Sequence, residues 1–289
     1  MQLRLVTWNV NGLRGALKKG FDAHVAALRP DVLLLQEIRC VPEQVAGMVD
    51  EDRWEVVWHP AERPGYAGTA VWVRRAAGLR VKRVRRGMAA GRAASAADPE
   101  GRVLSVDVAD VGGTGDAVTR CVSVYLPSGS SSPERQAAKD NWMEAFAPWA
   151  AAQRRARVPV VLAGDLNIAH TERDIYYAKA NAKQSGFLPH ERAWMGGLLK
   201  GGAGGGAGWH DAVREAAGDV DGPYSWWSNR GGARDRDRGW RIDYVLTNPA
   251  ATQRIVGVET HRACALNREV DGERAPATSD HAPLSIDLR

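Results

Sequence analysis

The chain has 289 residues, 44% of them hydrophobic, and a formal charge of +5 with a pI near 9.3. That is enough apolar material for one large core, and the excess of base suits a polyanionic partner, although only seven of the 39 basic residues are lysine and a skew toward arginine also follows from genome composition. Cys40, Cys121 and Cys264 are widely spaced and odd in number, which excludes a disulfide framework or a zinc site, and no apolar stretch approaches the ~20 residues that span a bilayer. A soluble cytoplasmic protein is expected, with residues 1–289 forming a single domain.

The first strand pattern is Leu5-Val6-Thr7-Trp8-Asn9. Helical spacing from Leu13 to Leu28 stops at Arg29-Pro30, because a proline disfavours helix in the residue before it, and Asp31 opens a second strand, Leu33-Leu34-Leu35-Gln36-Glu37. Strand-like runs follow at Trp54 to Trp58, Thr69 to Arg74, Leu79 to Val84, Val103 to Val108 and Val118 to Leu126. Arg80, Lys82, Arg83, Arg85 and Arg86 cluster around Val81 and Val84 and read as the solvated face of a strand rather than a track for DNA. Ser132-Pro133-Glu134 supplies an N-cap and a first-turn proline for a helix running to about Arg155.

A strand from Val158 to Ala163 leads into a long irregular stretch, and Pro189 begins another helix. The glycine-rich stretch 201–208 lacks the G-K-[ST] ending of a phosphate loop and reads as a surface insertion. Strands recur at Tyr224 to Trp227, Arg241 to Thr247, Gln253 to Thr260 and Leu284 to Leu288. Strands and helices repeat in the same order in both halves, so the expected class is α/β (α+β): two sheets face to face with helices outside, in four layers.

Five of these runs carry a carboxylate, an amide or a histidine at a terminus: Asn9, Glu37, Asp165 with Asn167, Asp243, and Asp280 with His281. Any one of them alone is equally well explained as capping its strand or starting a turn. An unpaired buried carboxylate is costly, so five such placements point to a shared task. Hard oxygen donors with one histidine suit magnesium and phosphate chemistry. Glu37 is placed to reach a metal, Asp165 and Asn167 to hold a water from two sides, and His281 to meet a phosphate as imidazolium if Asp243 fixes its other nitrogen.

Eight segments then carry a resemblance in order along the chain: Thr7-Trp8-Asn9-Val10-Asn11-Gly12-Leu13-Arg14, Leu35-Gln36-Glu37, Tyr125-Leu126-Pro127, Gly164-Asp165-Leu166-Asn167-Ile168-Ala169-His170, Ser185-Gly186-Phe187-Leu188-Pro189-His190-Glu191-Arg192, Tyr224-Ser225-Trp226-Trp227, Gly239-Trp240-Arg241-Ile242-Asp243-Tyr244, and Ser279-Asp280-His281-Ala282-Pro283. With them the chain resembles the exonuclease III branch of the endonuclease, exonuclease and phosphatase superfamily, the abasic-site DNA repair nucleases.

The resemblance implies an αββα sandwich of two mixed sheets opening at one edge onto the active site. It implies a monomer that uses Mg2+, with Mn2+ able to substitute, to cut duplex DNA 5′ to abasic sites and to trim or clean 3′ ends. By the same resemblance Glu37 binds the metal with Asn9 and Asp280 in its network, and Tyr125 contacts the scissile phosphate. Asp165 and Asn167 handle the attacking water, and the Asp243–His281 pair stabilises the transition state. Trp226 and Trp240 line a pocket for a flipped sugar without its base, since a flat apolar pocket accepts bare deoxyribose and unstacking is cheapest where no base exists. Asn11, Arg14, Ser128, Asn181, Arg230 and Arg241 are implied as further substrate contacts. The chain departs from some relatives at Ser128, Asn11 and Gln184 and in the 201–208 stretch, none of which removes a core catalytic group. Two other readings are a phosphatase or phosphodiesterase of the same superfamily, and a DNA-binding module without catalysis.

Overall fold

The computed structural model describes residues 2–88, 98–111, 118–200, 208–265, 268–270, 273–275 and 277–289. In chain order the strands are β1 (Leu3–Asn9), β2 (Val32–Gln36), β3 (Trp54–His59), β4 (Thr69–Arg74), β5 (Leu79–Arg86), β6 (Val103–Asp110), β7 (Val118–Tyr125), β8 (Val160–Asp165), β9 (His210–Asp211), β10 (Asp243–Thr247), β11 (Ile255–Thr260), the short pair β12 (Arg268–Val270) and β13 (Glu273–Ala275), and β14 (Leu284–Leu288). The helices are α1 (Leu13–Leu17), α2 (Phe21–Leu28), α3 (Pro133–Arg154), α4 (Ala178–Asn181), α5 (Pro189–Lys200), α6 (Ala212–Ala217) and α7 (Pro249–Thr252).

Two six-stranded sheets result, ordered β11-β14-β1-β2-β4-β3 and β5-β6-β7-β8-β10-β9. Each has one parallel pair near its centre, β1 with β2 and β7 with β8, and is otherwise antiparallel. A parallel pair brings two strand C-termini to one edge of the sheet. The register sets Asn9 beside Gln36, immediately before Glu37, and Tyr125 beside Asp165, while antiparallel β10 enters next to β8 with Asp243 opposite Asp165. The polar strand ends are thus gathered on one rim by topology.

Alternation along the strands builds the layers. Leu5 and Leu34 face inward to a core between the sheets, with Val106, Val161, Val245 and Ile286. Val6, Trp8, Leu33 and Leu35 face outward under Phe21 and Val25 of α2. On the far side Val122, Leu162 and Tyr244 pack under Phe146 of α3 and Met195 of α5. Three apolar layers between helices and sheets give the αββα sandwich. Among the described residues, no helix is long and apolar enough to cross a membrane.

Ser132 caps α3 through its hydroxyl, which accepts from the Arg135 N–H at 3.3 Å, with Pro133 in the first turn. Two elements differ from expectation. The Leu13 to Leu28 helix is divided in two, because Gly20 takes a left-handed conformation at φ 87° and starts α2 as its N-cap. Tyr224 to Trp227 is not a strand but a segment pinned by isolated bridges from Trp226 to Trp240 and to His281. The basic run lies on edge strand β5; Arg85 of that run and Arg120 of β7 clamp Asp107 at 3.1 and 2.7 Å, lowering its carboxyl from the ordinary value against the cost of its burial. Residues 201–207 of the glycine-rich stretch lie outside the described residues.

Candidate active site

The rim residues surround a cavity of about 400 Å³ lined by Glu37, Tyr125, Asp165, Asn167, Asp280 and His281, with Trp226 and Trp240 on its wall. Asn11, Ser128 and Asn181 also line it. Asn9 and Asp243 lie behind it, 0% and 2% exposed, as support.

Backbone geometry aims these side chains. Asn11, Glu37 and Asn167 sit at positive φ of 46°, 50° and 50°, a conformation that costs non-glycine residues energy and marks turns held by their surroundings. Within β8, one residue before Asp165, Gly164 has φ 143°, and a Cβ there would meet the Val124 carbonyl at 2.0 Å. Only glycine fits this close approach of the strands.

Asp165 is the hub. Its Oδ2 accepts from Asn9 Nδ2 at 2.9 Å and from Asn167 Nδ2 at 3.2 Å, and its Oδ1 accepts from the Asn167 backbone N–H at 2.8 Å. Asn9 Nδ2 also donates to Glu37 Oε1 at 3.0 Å, tying the two sheets' carboxylates together. His281 Nδ1 lies 2.9 Å from Asp243 Oδ2, and its Nε2 lies 3.9 Å from Asp165 Oδ2. Burial opposes the imidazolium, but Asp243 foremost, then Asp165 and Asp280, outweigh it and push His281 up to about 10. Burial first, with Asp243 and Glu37 as like charges, pushes Asp165 up to about 7, and His281 restrains that rise. The site therefore pairs a proton acceptor poised near neutrality with a cation that persists above it.

Tyr125 donates its hydroxyl to Glu37, and burial together with the charges of Glu37 and Asp165 raises it well above its ordinary value, so it remains a donor. The buried Arg102 guanidinium lies 4.6 Å from the Tyr125 ring and donates to its carbonyl at 3.1 Å. Asp280 accepts from Asn11 Nδ2 at 2.8 Å and from the Trp226 indole at 3.1 Å; against its burial, His281 and these donors hold it below the usual range.

Three expected contacts fall elsewhere. Arg241 is 1% exposed and bonded to Asp174 at 2.6 Å and Asp211 at 2.8 Å, so it braces the core behind the site and is not part of the cavity lining. Arg14 and Arg230 are exposed and do not line the cavity. Asn9 points its amide nitrogen at the two carboxylates, and its oxygen accepts from the Asn11 N–H at 3.0 Å, so that in this structure it braces Glu37 against Asp165.

The structure adds Arg39, Ser130, Gln184 and Gly186 to the lining. Arg39, two residues after Glu37 and ion-paired with it, was within reach of sequence reasoning from that spacing. The buried Lys139–Glu191 pair, 2.6 Å apart, was not: Lys139 donates to the Asn167 carbonyl at 2.9 Å, and Glu191 accepts from the Gly186 N–H at 2.7 Å.

The donor set decides which ion fits. Glu37 and Asp280 present carboxylate oxygens to the cavity, with asparagine side chains and no thiol in the lining, which suits a hard divalent cation. Asp165, Asp243 and His281 converge within 4.8 Å, but His281 and Asp243 are bonded to each other, which fits proton and charge work better than ligation.

Comparison with known proteins agrees with this geometry. The model of the Endonuclease/Exonuclease/phosphatase family matches residues 6–281. A Bacillus subtilis exodeoxyribonuclease is 33% identical over 98% of both chains, and the zebrafish DNA repair nuclease APEX1 is 31% identical over 86% of this chain and 74% of its own. Among solved structures, an AP endonuclease from Leishmania major superposes with a TM-score of 0.80 at 28% identity, over 100% of this chain and 88% of that one. A 3′ phosphatase from Neisseria bound to a product DNA hairpin gives 0.79 at 26% identity, over 99% of each. With strand-end residues, fold and family model in agreement along nearly the whole chain, the protein belongs to the endonuclease/exonuclease/phosphatase family.

Proposed function

We propose that the chain is a magnesium-dependent DNA repair nuclease that hydrolyses the phosphodiester 5′ to an abasic site and also trims and cleans 3′ ends, acting as a monomer. The observation that carries this reading is Asp165, poised near neutrality, within 3.9 Å of an imidazolium and linked to Glu37 through Asn9, in a pocket walled by two tryptophans.

Asp165 accepts a proton from the attacking water, and Asn167, which donates to both of its oxygens, holds the carboxylate in the orientation that directs that water at phosphorus. His281, oriented by Asp243, places its Nε2–H toward the phosphate oxygens, where negative charge grows in the transition state. Tyr125 adds a neutral donor from the same side. Glu37, with Asp280, would hold the magnesium ion, which supplies charge neutralisation to the phosphate when bound. Trp226 and Trp240, 6.0 Å apart and nearly perpendicular, leave an angular apolar slot suited to a bare deoxyribose. A water-derived oxygen is added to phosphorus and the 3′ oxygen leaves, so the products carry a 3′ hydroxyl and a 5′ phosphate.

The test compares purified protein on duplexes bearing an abasic analogue, a recessed 3′ end or a 3′ phosphate, with magnesium and with EDTA. Magnesium-dependent nicking 5′ to the analogue supports the reading. Release of phosphate from small phosphoesters with no nicking would favour a phosphatase, and binding without any cleavage would favour a silent module.

A further inference from the structure

Next to the catalytic cavity lies a surface that the proposed reaction does not use. Tyr176 and Tyr177 are 45% and 47% exposed; the other large exposed hydrophobics among the described residues are three valines. Their rings meet edge to face, with centroids 4.5 Å apart. The Arg238 guanidinium lies 5.5 and 5.3 Å from the two ring centres, so one cation is shared by both.

The backbone ties this cluster to the active site on both sides. Ile175, just before it, bridges to Trp240, and the Tyr176 N–H donates to the Gly239 carbonyl at 3.0 Å. The Tyr177 carbonyl accepts the backbone and side-chain N–H groups of Asn181, at 3.0 and 2.8 Å, and Asn181 lines the catalytic cavity. The tyrosines border an open groove of about 1060 Å³ whose walls also carry Arg173, Lys179 and Arg236. Its acids are Glu172, Asp221 and Asp237, of which Asp221 lies 4.0 Å from Arg173 and Asp237 pairs with Arg262. A groove of mixed charge, with a pair of exposed aromatic rings and their shared arginine at its edge, matches a charged chain that offers flat apolar faces. Bases within a duplex already have their faces covered, whereas an unpaired base has a free π-face.

Resting on the nuclease reading above, we propose that Tyr176, Tyr177 and Arg238 form a stacking platform for unpaired nucleobases of the DNA strand engaged at the catalytic cavity. The rings take the bases, and the surrounding arginines and lysine take the phosphates. Substrates with a single-stranded extension beside the scissile phosphate then gain contacts that blunt duplexes lack.

The test measures binding in EDTA, by fluorescence anisotropy, of three abasic-analogue duplexes: one blunt, one with an unpaired extension of about four nucleotides at either strand end, and one with the same extension built from base-free sugar phosphates. Wild type binds the base-bearing extension roughly 5- to 50-fold more tightly than the base-free one, because stacking needs the base. The double variant Y176A/Y177A erases that ratio, while Y176F/Y177F keeps it. Nicking of the blunt duplex by the alanine variant stays within about twofold of wild type. Equal binding of the two extensions by wild type, a ratio unchanged in the alanine variant, or equal losses on all three duplexes would overturn the proposal. Failure of wild type to nick any duplex would instead sink the nuclease reading, which the binding ratio does not depend on.

Discussion

The two sheets contribute to the cavity in different ways. The first brings Glu37 and, through Asn11, Asp280: carboxylates that open on the cavity and are met by flexible or neutral partners, namely Arg39, two amides and an indole. The second brings Asp165 and Asp243, 1% and 2% exposed, locked against a histidine that is itself 4% exposed. In the first rim, oxygens remain available to an ion. In the second, desolvation and mutual charge shift proton affinities, which suits the same residue types to the acid–base and charge-stabilising work proposed for them. His281 reaches the second rim from the loop before β14 of the first sheet, which makes the division of labour depend on how the sheets are packed. Gln36 Nε2 donates to Ser123 Oγ across that interface at 2.8 Å.

The largest break in this contrast comes from the second rim. His281→Ala is expected to slow single-turnover cleavage by about two to four orders of magnitude with DNA affinity retained, since a charge-stabilising donor is lost and little packing changes. A parallel loss of binding would mean that the histidine is structural.

Arg241 tests the opposite case, a buried charge with no share in chemistry. Arg241→Met strands Asp174 and Asp211 without their cation and should lower unfolding stability by about 3–5 kcal/mol, read from the urea midpoint, while the folded fraction keeps its turnover. A turnover loss as large as that of His281→Ala would return Arg241 to the substrate face.

The pH profile sharpens the contrast further. Asp165 must lose its proton to act, so the rate rises as pH climbs through about 7; His281 must keep its proton, so the rate falls as pH climbs through about 10. The raised His281 value means that its pairing with Asp243 stabilises the fold fully below its unfolded value and is lost as pH rises through about 10. Asp243→Asn removes the leading attractive charge and should move the descending limb to lower pH by about one unit or more. An unmoved limb would assign it to another group.

A smaller effect is expected at the wall that both rims share. Trp240→Ala should reduce discrimination between abasic and intact sites by roughly tenfold, measured as a ratio of kcat/KM values. Equal losses on both substrates would make the ring a packing element and move selection to Trp226.

Much of this was legible in the sequence because it is local. Ser132-Pro133 announced a helix start, period-two alternation announced the strands, and each rim residue stands where a hydrophobic run stops. What was not legible depends on partners far away along the chain. Arg241 sits in a catalytic motif between Trp240 and Asp243, yet its guanidinium is directed by Asp174 and Asp211, 67 and 30 residues distant. Lys139 and Glu191 gave no local signal, since one lies in the helix α3 and the other in α5, and only folding joins them beneath Asn167. Asn9 was placed in the metal's network by resemblance alone, whereas its orientation is set by two carboxylates from different sheets.

The division between the rims is tested most directly by a full magnesium titration of single-turnover cleavage on a duplex with one abasic analogue, run for wild type, Glu37→Ala and Asp165→Asn. Glu37→Ala should need at least about tenfold more magnesium to reach its plateau. Asp165→Asn should keep the wild-type midpoint with a plateau about two to four orders of magnitude lower. An unchanged midpoint for Glu37→Ala together with a displaced one for Asp165→Asn would contradict the assignment and place the metal on the second sheet.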